Sequence, residues 1–205
     1  MKETTKSFLN LLVIISLFVL ISYVVQSNIA NIKGYVNKDY FILFFIFIEV
    51  VATVVAPISA IPLLPLISQT YGWFIAGLAS VIGWMIGAVI VFFISRRYGV
   101  PIVKKLIVLE KISEIESKIP EKNLFWSIVF LRMVFPVDVL SYVLGLFSRV
   151  KFGTYFWASL IGIIPFAFVL SYVGTMPVYY QIYSFMILAL IIILFYLIYR
   201  KKFDV

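Results

Sequence analysis

Three ionisable residues lie within otherwise apolar stretches of the sequence: Glu49, Arg132 and Asp138. A charged side chain near the centre of a bilayer costs about 2.5–3.5 kcal/mol on insertion scales, so such residues usually pair, contact water or bind a ligand. We expect these three to line a shared polar cavity. Arg132 would supply the cation there, either to the two carboxylates or to an anionic substrate such as a lipid phosphate.

The spacing of Arg132 and Asp138 leaves two interpretations open. Asp138 follows Arg132 by six residues, which is beyond the three- or four-residue spacing of neighbours on one helix face. A break in the helix at Pro136 would be needed to bring the two side chains together. In the alternative, both residues lie near the cytoplasmic interface and extend their charged groups to water.

The composition is that of an integral membrane protein. Of the 205 residues, 64% are hydrophobic and 13% are charged, and the mean hydropathy is +1.13. A soluble domain of this length does not have enough interior for so much apolar surface. The net charge of +8 is carried by basic residues that flank apolar spans, which indicates membrane orientation rather than nucleic-acid binding.

The chain contains no cysteine and no histidine. Their absence from the sequence excludes disulfide bonds and thiolate metal sites, and it removes the usual zinc ligand and the usual general base near neutral pH. Because no paired-carboxylate motif is present either, the sequence predicts neither an enzyme nor a cofactor. The expected partners are membrane lipids, with protons or another coupling ion as a second class of ligand, and the oligomeric state is left open.

The apolar runs divide the chain into an all-α arrangement of three units. We expect residues 1–39 to form an N-terminal transmembrane helix and a polar connection, with a cleaved signal peptide as the alternative for residues 8–25. Residues 40–176 form one domain, and residues 179–205 form a C-terminal transmembrane helix with a basic tail. The predicted order within the domain is a broken segment (40–70), a helix (73–95), a cytoplasmic amphipathic helix (100–122), a second broken segment (124–148) and a helix (152–174).

The first broken segment cannot be one ordinary membrane span. As a straight helix, residues 40–70 would be about 46 Å long, against about 30 Å of hydrocarbon. Pro57, Pro62 and Pro65 each remove a backbone donor, so a re-entrant hairpin that enters and leaves on one side fits better. Pro136 lies near the middle of the second segment. The backbone carbonyl groups that Pro57 and Pro136 free could bind a cation or a hydroxyl group.

The distribution of basic residues favours two re-entrant hairpins over two single crossings. With both segments re-entrant and the N-terminus cytoplasmic, fourteen lysines and arginines lie inside and two, Lys33 and Lys38, lie outside. With two single crossings the split becomes seven inside to nine outside, which the positive-inside rule disfavours. The sequence therefore predicts a multi-pass protein with four full spans, two hairpins and both termini in the cytoplasm.

A short motif occurs twice, 79 residues apart. Residues 79–83 read Ala-Ser-Val-Ile-Gly, and residues 158–162 read Ala-Ser-Leu-Ile-Gly. Together with the charge distribution, the repeat predicts two copies of a hairpin and a helix in opposite orientations, as in transporters whose site lies between inverted halves. The charged sites differ between the copies and break this symmetry. Small residues let helices approach closely, so we assign helix packing to four glycines: Gly83, Gly87, Gly145 and Gly162.

The second broken segment resembles a known family. Residues 130–146 read Phe-Leu-Arg-Met-Val-Phe-Pro-Val-Asp-Val-Leu-Ser-Tyr-Val-Leu-Gly-Leu. This run is similar to the second hairpin of the DedA superfamily, in its VTT-domain branch (the SNARE-associated Golgi protein group). Glu49 stands where the family has a membrane glutamate, and the resemblance covers about residues 40–176. It implies two facing re-entrant hairpins, lipid translocation or scrambling, and roles for Glu49, Arg132 and Asp138.

Two departures from the family pattern bear on the mechanism. The first hairpin lacks the acidic residue that many members place there, and Asp138 stands in place of the second arginine of the bacterial branch. Both changes weaken proton-coupled transport of an anionic carrier, which the resemblance implies for bacterial members. The sequence thus predicts a scramblase or flippase of phospholipid or polyprenyl-phosphate lipids. The alternatives are a proton- or ion-coupled small-solute transporter and a non-transporting membrane scaffold.

Overall fold

The structure is a computed structural model that describes the backbone of residues 2–35, 38–55, 59–99, 123–134, 137–146 and 150–203. Side chains are described for residues 9–32, 40–55, 59–99, 123–133, 140–146 and 150–190. The described residues are helical almost throughout and include no strand, which confirms the all-α class. Pro57, Pro136 and the predicted amphipathic helix at 100–122 lie outside the described residues.

Eight α-helices and one short 3-10 helix make up the described backbone. In chain order they are α1 (Lys2–Tyr35), α2 (Lys38–Val54), the 3-10 helix (Ile61–Leu63), α3 (Leu64–Tyr71), α4 (Trp73–Tyr98), α5 (Leu124–Val134), α6 (Val137–Leu146), α7 (Phe152–Thr175) and α8 (Val178–Phe203).

Among the residues that the structure describes, three helices are long and apolar enough to cross a membrane: α1 over Leu9–Ile32, α4 over Trp73–Tyr98 and α7 over Phe152–Thr175. Their lengths and hydropathies support an integral membrane protein. α1 is longer than its apolar run, because the polar residues after position 25 remain helical as far as Tyr35. Asn28 interrupts α1 with non-helical backbone angles (φ −126°, ψ 17°).

Each broken segment contains two separate α-helices, and the first also contains the 3-10 helix. α2 ends at Val54, and Pro62 and Pro65 occupy the first turns of the 3-10 helix and of α3, where a missing N–H costs no helical hydrogen bond. Gly72, with a φ of +87°, ends α3 and allows the turn into α4. α5 and α6 have 11 and 10 residues and are about 17 and 15 Å long, so neither crosses the hydrocarbon by itself.

α4 and α7 pack against each other and form the centre of the molecule. α4 also carries α2 and α6, while α7 carries α5 and α3. Each central helix therefore packs against the first helix of the broken pair that precedes it and against the second helix of the other pair. α1 packs against the 3-10 helix and α3, and α8 contacts α1 and α7.

The contact between α6 and α4 is tight enough to predict the effect of one added methyl group. A Cβ atom at Gly145 would lie 2.6 Å from Ser95 Cβ and 2.7 Å from the carbonyl oxygen of Phe92, whereas a Cβ at Gly153 would meet nothing within 4 Å. Gly145→Ala should lower the temperature of thermal unfolding in detergent, because overpacking costs about 1–3 kcal/mol. Gly153→Ala, the matched control, should leave it unchanged or raise it slightly. Equal midpoints for the two variants would contradict this packing.

Candidate functional site

Arg132 lies in the last turn of α5 and faces α7. Its side chain is 3% exposed. A Cβ atom at Gly162 of α7 would lie 2.6 Å from Arg132 Cβ and 2.8 Å from the carbonyl oxygen of Val129. The missing side chain at Gly162 thus brings the two backbones close together, which lets the guanidinium group extend along the surface of α7.

Hydroxyl groups of α7 hold the guanidinium group of Arg132. Its Nε donates to Ser159 Oγ at 3.1 Å, and its Nη2 donates to Tyr155 Oη at 3.0 Å. Tyr155 donates in turn to the carbonyl oxygen of Ala88 in α4 at 2.7 Å, so the network joins α5, α7 and α4. Hydrogen bonds to a charged donor are stronger than neutral ones, so these two stabilise the buried cation.

Glu49 lies in α2 and faces α4. Its side chain is fully buried, and a Cβ at Gly83 would lie 2.5 Å from Glu49 Cβ and 3.2 Å from the carbonyl oxygen of Ile46. The indole of Trp84 comes close to the carboxyl group. Neither carboxyl oxygen, however, has a hydrogen-bond partner of acceptable geometry among the described residues. A buried carboxyl group without partners is costly, so its presence calls for a physical reason.

Glu49 and Arg132 occupy equivalent positions in the two halves of the chain. Gly83 and Gly162 are the equivalent residues of the repeated motif, and each meets the Cβ of a charged residue and the carbonyl oxygen three residues before it. Glu49 in α2 and Arg132 in α5 are 83 residues apart, whereas the two copies of the motif are 79 residues apart. The difference of four residues is about one helical turn. The expectation that the charged sites break the symmetry is thereby corrected: the positions match, and only the sign of the charge differs.

A second contact repeats between the halves with the roles of its partners exchanged. Ser95 of α4 packs against Gly145 of α6, and Gly174 of α7, which is 79 residues after Ser95, packs against Ser68 of α3. A serine thus meets a glycine at both places, but the glycine lies on the short helix in one half and on the central helix in the other. The same helix contacts are made in both halves.

The remaining residues singled out in the sequence fall in three groups. Gly87 of α4 packs against Thr53 of α2, where an added Cβ would lie 2.6 Å from Thr53 Cβ. Asp138 belongs to the first turn of α6, but its side chain lies outside the described residues. Pro57 and Pro136 lie outside them as well. Glu49 and Arg132 are both buried, and no hydrogen bond joins them.

A family model for the VTT domain matches residues 57–176, which is more than half of the chain. The chain belongs to the VTT-domain family. The match confirms the resemblance that the sequence of residues 130–146 indicated. The matched range includes Arg132 and both copies of the repeated motif, while α1, α2 with Glu49, and α8 lie outside it. No curated protein and no solved structure matches the chain.

Two residues of the VTT domain that hold Arg132 were not singled out in the sequence. Ser159 is part of the repeated motif, which the sequence analysis assigned to packing through its glycine alone. Tyr155 lies one turn earlier on α7 and is fully buried. A hydroxyl group at the same place in both copies of a repeat is the signal that could have identified Ser159. Tyr155 had no such signal, since Ala76 is its counterpart at the offset of 79.

A cluster of three glutamines ties the terminal helices to the VTT domain. Gln26 of α1, Gln69 of α3 and Gln181 of α8 each donate from Nε2 to Ser22 Oγ, at 3.0, 2.9 and 2.6 Å. Gln26 and Gln181 also donate to the carbonyl oxygen of Met176, at 2.9 and 2.7 Å, just after the end of α7. The cluster fixes α1 and α8 at the C-terminal end of α7, where backbone carbonyl groups lack helical partners.

The network of Arg132 predicts a specific cost for losing one hydroxyl group. Tyr155→Phe keeps the ring but leaves Nη2 of Arg132 and the carbonyl oxygen of Ala88 without this partner. Because a hydrogen bond to a charged group contributes about 1.5–3 kcal/mol, the variant should unfold at a clearly lower temperature than the wild type. Tyr172→Phe, at a side chain that is 53% exposed, is the matched control and should not change the midpoint. Similar midpoints for both variants would show that the network contributes little.

Proposed function

We propose that this VTT-domain protein moves lipids between the leaflets of its membrane, as a scramblase or flippase of phospholipid or polyprenyl-phosphate lipids. The headgroup would pass between two re-entrant hairpins, α2–α3 and α5–α6, while the acyl chains stay in the bilayer. One observation carries the proposal: a buried charged residue lies at the equivalent position of each half, Glu49 against α4 and Arg132 against α7.

The position of Arg132 suits recognition of a lipid phosphate. A guanidinium group matches phosphate oxygens with a planar fork of donors, and it keeps its charge at any physiological pH. Tyr155 and Ser159 fix the direction of the group from the side of α7. Charged residues within membrane segments are rare and commonly mark a substrate or ion pathway, which supports this role for Arg132.

The shape of the domain supports passage of a headgroup rather than of a whole hydrophilic solute. Four helices are each shorter than an ordinary transmembrane helix: α2, α3, α5 and α6. Broken helices at membrane depth are tolerated where they are buried in protein or line a wet cavity. In the proposed topology the hairpins dip from opposite sides, both termini are cytoplasmic, and α4 and α7 are full spans. A lipid would then need a polar path for its headgroup alone.

A second candidate function is ion-coupled transport of a small solute. The observation that favours it is the buried carboxyl group of Glu49, whose two oxygens have no hydrogen-bond partner among the described residues. A carboxylate in this setting can take up a proton or a metal ion during a transport cycle. The scaffold alternative predicts that neither Glu49 nor Arg132 affects any flux.

The proposal is tested with the full chain in liposomes that contain a fluorescent phospholipid in both leaflets. An impermeant reductant bleaches the outer leaflet only, so a scramblase exposes the inner pool as well. Wild type should bleach nearly all of the lipid, and Arg132→Gln should slow the second phase by about tenfold or more, equivalent to about 1.4 kcal/mol. Arg97→Gln changes an exposed arginine at the end of α4 and should behave as the wild type.

Two results would contradict the proposal. If the fraction of lipid bleached in liposomes with the wild-type protein equals that in protein-free liposomes, transport of the lipid used is excluded. Wild-type rates for Arg132→Gln, in protein that elutes as a single species, would exclude a role for the guanidinium group. If Glu49→Gln abolishes a proton-linked solute flux but leaves lipid movement intact, the result would favour the second candidate function.

A further inference from the structure

Three buried oxygen atoms at the contact between α2 and α4 have no hydrogen-bond partner among the described residues. They are the two carboxyl oxygens of Glu49 and the hydroxyl oxygen of Ser80. Both side chains are fully buried. Native proteins leave very few buried polar atoms without partners, and each exception calls for an explanation such as a bound ion.

The register of the two helices puts Ser80 on the face of α4 that receives Glu49. Glu49 packs on Gly83, and Thr53 packs on Gly87, so α2 and α4 run in the same direction at this contact. Ser80 precedes Gly83 by three residues and therefore shares its face of α4, one turn towards the N-terminus. Helical side chains lean towards the N-terminus of their own helix, so the Glu49 side chain extends from Gly83 towards the level of Ser80.

The second half of the chain has an equivalent arrangement, in which a protein side chain supplies the cation beside the serine. Arg132 is the counterpart of Glu49, Ser159 is the counterpart of Ser80, and Arg132 Nε donates to Ser159 Oγ at 3.1 Å. The Nε atom of arginine and the carboxyl oxygens of glutamate are each bonded directly to Cδ, so these atoms lie equally far along the two side chains. The second half therefore places a cation beside its serine, whereas the first half offers its serine an anion.

We propose that Glu49 and Ser80 form a binding site for a small monovalent cation, with Na⁺ as the ion to test. Carboxylate and hydroxyl oxygens are the donors that hard cations prefer. One monovalent ion cancels the single charge of Glu49 and contacts all three oxygens, which removes the cost of burying them without partners. A proton would also cancel the charge, and the protonated carboxyl group could donate to Ser80 Oγ, so direct binding of Na⁺ is the measurement that separates the two.

Binding of the ion does not depend on the proposed function, but its use to drive lipid movement rests on that function. With Na⁺ at Glu49 the two halves would present a neutral site and a cationic site at equivalent positions. Without Na⁺ they would present an anion and a cation. An ion gradient could then bias which hairpin accepts the headgroup.

The site is tested by equilibrium binding of radioactive Na⁺ to the purified full chain, with choline chloride holding the ionic strength constant. Wild type should bind Na⁺ saturably, and both Glu49→Gln and Ser80→Ala should weaken binding by about tenfold or more, equivalent to about 1.4 kcal/mol. Ser171→Ala, the same change at another fully buried serine, whose hydroxyl group donates to Ala167 of its own helix, should retain wild-type affinity. Na⁺ should also raise the unfolding temperature of the wild type but not that of Glu49→Gln.

A second readout comes from Trp84, which follows Gly83 and comes close to the carboxyl group of Glu49. Na⁺ should change the tryptophan fluorescence of the wild type. Trp84→Phe should abolish this change while radioactive Na⁺ still binds, because the indole reports on the site and is not one of the three oxygen ligands. A fluorescence change that persists in Trp84→Phe would place the responding site elsewhere.

The outcomes separate this inference from the proposed function. Absence of saturable Na⁺ binding, or equal weakening by Ser80→Ala and Ser171→Ala, would overturn the cation site, even if the liposome assay shows lipid movement. Saturable binding that Glu49→Gln and Ser80→Ala abolish would establish the site, even if no lipid moves. Lipid movement that proceeds at the same rate in Na⁺ and in choline would overturn the coupling.

Discussion

The rest of the structure depends on two close helix contacts, at which a glycine of a central helix meets the Cβ atom of a charged residue. Gly83 of α4 receives Glu49, and Gly162 of α7 receives Arg132. A Cβ atom at either glycine would overlap the Cβ atom of Glu49 or of Arg132, so any side chain there would push the neighbouring helix away. The contacts therefore fix both how closely the short helices approach and where the two charges lie.

The two charges are held in different ways, although their positions are equivalent. The guanidinium group of Arg132 donates to Ser159 and Tyr155, and Tyr155 extends the network to α4. The carboxyl group of Glu49 has no comparable bonds among the described residues. A buried polar group that is well bonded fixes one arrangement, whereas one without partners favours binding of a ligand. The two side chains therefore differ in their bonding as well as in the sign of their charge.

Much of this architecture could be predicted from the sequence, because it depends on hydropathy and on residue type. The all-α membrane class, the repeated motif and the choice of Glu49 and Arg132 as candidate site residues follow from apolar runs and from the cost of intramembrane charge. The equivalence of Glu49 and Arg132 could not be predicted in this way. Their offset differs from that of the motif by four residues, which is about one helical turn and leaves the apolar pattern unchanged. The partners Tyr155 and Ser159 and the glutamine cluster around Ser22 depend on contacts between distant helices, which no local pattern records.

The central claim is that the two similar halves lie in the membrane in opposite orientations, with α4 and α7 as full spans. The most direct measurement is labelling of single cysteines by an impermeant thiol reagent in intact cells, since the chain has no cysteine of its own. The account predicts that Tyr179→Cys, at the start of α8, reacts from outside and that Lys118→Cys reacts only after the cytoplasmic side is exposed. Reaction of both cysteines from outside would contradict it, because that pattern requires each broken segment to cross the membrane once.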